Sequence, residues 1–107
     1  MPIDISYLLS YTFISMKYFD WNEEKNRKLK EERHVCFEEV RGIIESGGLL
    51  DIILNPNQKR YPQQKMFIID VNHYAYVVPF VEEEEKVFLK TIFPSRSYTK
   101  KYLLEVL

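Results

Sequence analysis

The chain has 107 residues, 46% of them apolar and 29% charged, and a formal net charge of -1 at pH 7. That is about one domain's length of globular, not disordered, composition. Two His, one Cys and three Gly allow no paired zinc-ligand spacing and no Gly-rich phosphate loop, and a pI near 6.1 lacks the overall basic field of a typical nucleic-acid binder.

Residues 3–16 are mostly apolar and carry no charge after Asp4. They are too short to span a bilayer and have no basic leader or small-residue cleavage site. Residues 1–15 are therefore expected to be an accessory segment or an upstream extension, with the domain proper over 16–107. Asp20, with Glu23 three residues on, makes a capping box for a helix over 23–32, and Asn22 is a rival cap. That helix alternates acids and bases, with Leu29 its only apolar residue, and suits a solvated surface held by pairs such as Glu24 with Lys28. Tyr18, Phe19 and Trp21 are expected to pin its start.

A second helix is expected over 37–46, where Phe37, Val40, Ile43 and Ile44 form one apolar stripe. Cys36 stands at its N-cap position, and Gly47 and Gly48 stop it. This lone cysteine cannot form an internal disulfide, which suits a reducing cytosol. The period then becomes strand-like over 49–54, 66–72, 74–81 and 86–93. Asn72-His73 is expected to be a tight hairpin turn, with His73 a turn residue, and 82–85 makes the next turn. Pro79 implies an edge or a bulge in the third of these strands. Ser95 or Ser97 caps a final helix over 98–105. Two N-terminal helices, an antiparallel meander of about four strands and a C-terminal helix make a small α+β fold. One Trp, eight Tyr and seven Phe supply a core without metal or disulfide.

The net charge conceals a split. Residues 52–66 hold Lys59, Arg60 and Lys65 with no acid, and residues 86–104 hold Lys86, Lys90, Arg96, Lys100 and Lys101 with none. Strand parity puts Lys86 and Lys90 on one face with Arg96 just beyond, and a meander brings Lys65 toward them. Such cations beside a helix start form an anion pocket. Two readings stay open: ordinary solubilising lysines with core or rim tyrosines, or a site that cleaves single-stranded RNA without metal or cofactor, by positioning the 2′-hydroxyl and neutralising charge that builds at phosphorus. Tyr61, Tyr76, Tyr98 and Tyr102 are candidates to stack on bases.

The stretch Lys17-Tyr18-Phe19-Asp20-Trp21-Asn22-Glu23-Glu24-Lys25 resembles the opening of BrnT-type toxins, with their Trp-Asp-x-x-Lys motif. Where the family has Lys-His-Gly-Val-Ser-Phe-Glu, this chain has Glu32-Arg33-His34-Val35-Cys36-Phe37-Glu38. The family's Arg before a strand corresponds to Lys65, and its Ile-Ser-Ala-Arg and basic helix resemble Phe93-Pro94-Ser95-Arg96 and Thr99-Lys100-Lys101-Tyr102. The resemblance runs over about residues 16–104. It implies a RelE-like ribonuclease fold and a cytoplasmic bacterial type II toxin that cleaves RNA, arrests growth and is neutralised by a BrnA-type antitoxin. Operator DNA would be reached only through that antitoxin, and no membrane is involved.

On this reading Arg96 stabilises transition-state charge, Arg33 and Lys65 hold phosphate and His34 moves the proton. Lys25, Lys90, Lys100, Lys101 and Tyr102 contact the RNA. The family's His falls on Arg33 and its neighbouring Gly on His34, and arginine stays protonated and serves poorly as a base. The alternative is therefore a catalytically weak or inactive relative that acts as a protein-interaction module.

Overall fold

A computed structural model describes residues 17–104. Residues 1–15, expected to be an accessory segment or an upstream extension, and Glu105 of the final helix lie outside the described residues. The first element is a strand, β1 (Tyr18–Trp21), where the aromatic cluster was expected only to pin a helix. It turns Phe19 and Trp21 toward the core and pairs in parallel with residues far downstream, Tyr18 opposite Lys86 and Trp21 opposite Leu89. Four residues carry too little alternation to reveal a strand whose partner is so remote.

Helix α1 (Glu23–Arg33) is capped by Asn22, whose side-chain oxygen accepts the Lys25 N–H at 2.9 Å. Asp20 is engaged elsewhere, accepting the Trp21 N–H at 2.9 Å and pairing with Lys86 at 3.1 Å. Only Asn26 and Leu29 of this helix are buried, as its charge pattern predicts. Its surface pairs centre on Arg27, with Glu24 and Glu31, in place of Glu24 with Lys28. Helix α2 (Phe37–Glu45) buries Phe37, Val40 and Ile44. Cys36 makes no cap bond there. The buried Asn26 substitutes for it from α1, accepting the Phe37 N–H at 2.7 Å and donating to Glu38 at 2.7 Å.

Strands β2 (Leu49–Leu54), β3 (Lys65–Val71), β4 (Tyr74–Glu82) and β5 (Lys86–Leu89) form the antiparallel meander. Asn72 and His73 both have positive φ, 53° and 67°, which is the mirror-image turn that tight hairpins favour. The expected strand over 86–93 is broken into β5 and β6 (Phe93–Pro94), both pairing with β4. Phe80 faces Leu89 and Val77 faces Phe93, so three residues oppose two and the strand bulges. Pro79, which has no N–H to donate, lies opposite that bulge and accepts from Lys90 N–H at 2.8 Å.

The sheet order is β1-β5-β4-β3-β2, with β6 beside β4. The four-stranded meander thus grows into a mixed six-stranded sheet in an α+β domain. Alternation on its strands makes two apolar layers. Phe67, Ile69, Val78, Phe80, Val87 and Leu89 pack against α1 and α2, with the Phe67 and Phe80 rings stacked at 4.0 Å. Met66, Ile68, Ala75 and Val77 point to the other face and pack against Tyr98, Tyr102 and Leu103. Those residues belong to a C-terminal helical stretch that begins as α3 (Arg96–Thr99) and widens into a π-helical turn over Lys100–Leu104. Ser95 is its cap, accepting the Tyr98 N–H at 3.1 Å. No helix among the described residues is long and apolar enough to cross a membrane.

Candidate functional site

The chain leaves β6 through Ser95, whose N–H donates to Ala75 O at 2.9 Å. Thr99 then staples the start of α3 to β4: its hydroxyl donates to Ser95 O at 2.7 Å and accepts the Ala75 N–H at 2.8 Å. This buried hydroxyl both donates and accepts, and it holds α3 against the β3–β4 turn end of the sheet. Arg96, Lys100, Thr99, Tyr74 and Leu104 line an open groove of about 650 Å³ there. Arg96 and Lys100 are exposed and make no ion pair among the described residues. Tyr74 and Leu104 are partly exposed and give the groove an apolar wall. Two cations unpaired among the described residues, beside an apolar wall, suit a phosphate that carries a planar group.

The opposite end of the sheet is neutralised. Glu82 pairs with Lys17 at 2.8 Å and Lys65 at 3.1 Å. The bond from Lys17, with help from Lys65, holds its carboxyl below the ordinary value of 4.5. Lys86 is bound by Asp20 at 3.1 Å and Glu83 at 3.6 Å, which raises its pKa. Lys65 faces Phe80, six residues along β4 from Tyr74, or roughly 20 Å at a strand's rise. Lys86 and Lys90 do share a face, both lying over the Phe88 ring at 5.8 and 5.2 Å, but the bulge and the turn into α3 carry Arg96 away from them.

The helix-borne candidates are on the other side of the sheet from Arg96. Arg33 donates to Ile92 O at 2.6 Å, so its guanidinium holds the bulge between β5 and β6. His34 is the exposed C-cap of α1 in the left-handed conformation, φ 59°. Lys25 sits exposed in the first turn of α1. Lys101 lies over the Tyr102 ring at 5.2 Å. Tyr102 packs on the sheet and donates its hydroxyl to Asp51; burial and that carboxylate push its pKa well above the tyrosine range. A tyrosine held this way is a poor base-stacking group.

The structure therefore brings Arg96 and Lys100 together, with Lys101 next along the chain, and separates them from Lys65, Lys90, Arg33, His34 and Lys25. Tyr74, Thr99 and Leu104 are groove residues that sequence reasoning missed. Hairpin register was a signal for Tyr74, since the two-residue turn makes it the first residue of β4 and the strand returning beside β4 must end near it. Cys36 is buried and its thiol pKa is pushed up by that burial, the opposite of an activated nucleophile. Compared with protein-family models, curated proteins and solved structures, the chain finds no match in any of the three.

Proposed function

We propose that this domain is the RNA-cleaving toxin of a bacterial toxin–antitoxin pair, a BrnT-type protein of RelE-like fold, and that it takes RNA at the Arg96 groove. The observation that carries the reading is the contrast between the two ends of the sheet. Lys17, Lys65 and Lys86 are neutralised by carboxylates, while Arg96 and Lys100 share a groove with no such partner among the described residues. A guanidinium fork matches two phosphate oxygens, and a nearby ammonium adds a second charge. Both would stabilise the negative charge that grows on phosphorus-bound oxygens as a 2′-hydroxyl attacks, and Tyr74 offers a ring face to a base. This chemistry needs neither metal nor cofactor. A BrnA-type antitoxin would neutralise the toxin and contact operator DNA, both in the cytoplasm.

The test is induced expression of the full chain beside Arg96→Ala in a bacterial host, following growth and total RNA. Growth arrest with RNA fragmentation, relieved by the substitution, supports the reading. Equal and harmless accumulation of both folded proteins contradicts it.

A second reading, a protein-interaction module without cleavage, is favoured by one observation. Arg33, which stands where the family has its His, is committed to the Ile92 carbonyl, and Lys65 to Glu82. Unimpaired binding of an antitoxin-like partner by a chain that leaves RNA intact would establish it.

A further inference from the structure

We infer that Asp51 and Asp20 close the two outer edges of the sheet against pairing with a second copy of the chain. Neither role depends on RNA cleavage. Among the described residues β2 and β1 are the outermost strands, and each pairs on one side only. A strand in that position turns the N–H and C=O of every second residue away from its neighbour, ready to pair with another chain.

β2 is the greater hazard. It reads Leu-Leu-Asp-Ile-Ile-Leu, with Asp51 its only charge and neither Lys nor Pro to discourage pairing. All six residues are at least partly exposed, and Leu54 is 59% exposed. The Asn55 N–H donates to Gln64 O at 2.8 Å, and the register runs back from Leu54 with Lys65 to Asp51 with Ile68. Alternation therefore turns the backbone of Asp51 and Ile53 toward β3 and that of Ile52 and Leu54 outward. Asp51 Oδ1 accepts the Ile52 N–H at 2.8 Å, and its other oxygen accepts the Tyr102 hydroxyl.

β1 repeats the arrangement. The Tyr18 N–H donates to Glu85 O at 3.3 Å, so in this parallel ladder Tyr18 and Asp20 face β5 while Phe19 and Trp21 turn theirs outward. Asp20 Oδ1 accepts the Trp21 N–H at 2.9 Å, and Oδ2 accepts from Lys86 at 3.1 Å. In both strands the residue after the aspartate, Ile52 or Trp21, packs into the layer under α1 and α2. Each carboxylate thus holds one outward N–H with one oxygen, and a donor from a neighbouring element fixes the other. A capped N–H cannot donate to an incoming strand, and the carboxylate puts negative charge where that strand's carbonyl oxygens would lie. Two β2 edges meeting antiparallel about a two-fold axis would otherwise complement each other through Ile52 and Leu54.

The full chain, Asp51→Ala and Asp51→Asn would be compared by sedimentation velocity over a concentration series, with circular dichroism to check the fold. The native chain should stay monomeric, and Asp51→Ala should reach twice the monomer mass, reversibly, as concentration rises. Asp51→Asn keeps an acceptor oxygen for the Ile52 N–H and should remain monomeric. In dilute solution, amide exchange at Ile52 should be about 5- to 10-fold faster in Asp51→Ala than in the native chain. Asp20→Ala leaves Lys86 its pair with Glu83, and it decides the matter should Asp51→Ala not fold. It should speed exchange at Trp21 to the same degree and associate likewise. A folded alanine variant that stays monomeric, or that exchanges the capped amide no faster, would overturn the inference. So would association of Asp51→Asn or of the native chain as strong as that of Asp51→Ala, since the cap would then not be what keeps the edges apart.

Discussion

Individual side chains in this domain are mostly committed to structure, and each commitment is measurable. Asn26 is a buried amide on α1 that closes the start of α2, because Cys36 at the cap position makes no cap bond. Asn26→Ala would leave the Phe37 N–H and the Glu38 carboxylate without their partner, at about 2 kcal/mol of stability in urea unfolding. Glu82 supplies a pH test. Its folded carboxyl titrates below the ordinary value, so its stabilising effect is fully present above pH 4.5 and fades as pH falls through the lowered folded pKa. The native chain should therefore exceed Glu82→Gln in stability at neutral pH, and the two should converge in acid. A difference that persists unchanged at low pH would mean that Lys17 and Lys65 do not act through that carboxylate. Tyr102 belongs to the same class: Tyr102→Phe should lower stability by about 1 kcal/mol by removing the hydroxyl that donates to one oxygen of Asp51, with RNA affinity unchanged.

At the scale of elements, helices were legible where caps and stripes mark them and strands where alternation runs long enough. α2 follows its Phe37, Val40 and Ile44 stripe, and the Asn72-His73 turn has the positive φ angles that a two-residue hairpin demands. β1 escaped notice because four residues hold little pattern and the partner strand, β5, lies far along the chain. The break between β5 and β6 escaped because a bulge is one residue of register, which only pairing with β4 reveals, although Pro79 pointed to it. The joint between α2 and β2 depends on glycine more than its helix-stopping role suggests. A Cβ on Gly48 would fall against the Ile43 side chain and 3.1 Å from the Ile43 carbonyl oxygen. Gly48→Ala should cost about 1–3 kcal/mol, seen as a lowered thermal midpoint. Alanine at Gly42, where a Cβ meets open space, should have no such effect and can serve as the control.

Across the whole molecule, a near-zero net charge hides cations distributed to both faces and both ends of one sheet. Charge spacing along the chain identified Arg96 and Lys100, which do share a groove, but it also gathered Lys65, Lys90 and Arg33, which the fold sends elsewhere. Strand parity holds along β5 and one residue past its end, as Lys86 and Lys90 over Phe88 show, and fails across the full bulge and a change of element. Lys65 is the instructive case, because its charge was visible in the sequence while its partner Glu82, seventeen residues on, was not.

RNA cleavage in vitro tests most directly whether RNA is engaged at the Tyr74–Arg96 end of the sheet, as proposed. The purified full chain, Arg96→Ala and Lys65→Ala would be incubated with end-labelled single-stranded RNA and the cleavage products resolved on a gel. Cleavage is expected from the native chain and from Lys65→Ala, with at least a 100-fold loss in folded Arg96→Ala. Cleavage that survives in Arg96→Ala and is lost in Lys65→Ala would place the chemistry at the other end of the sheet and contradict it.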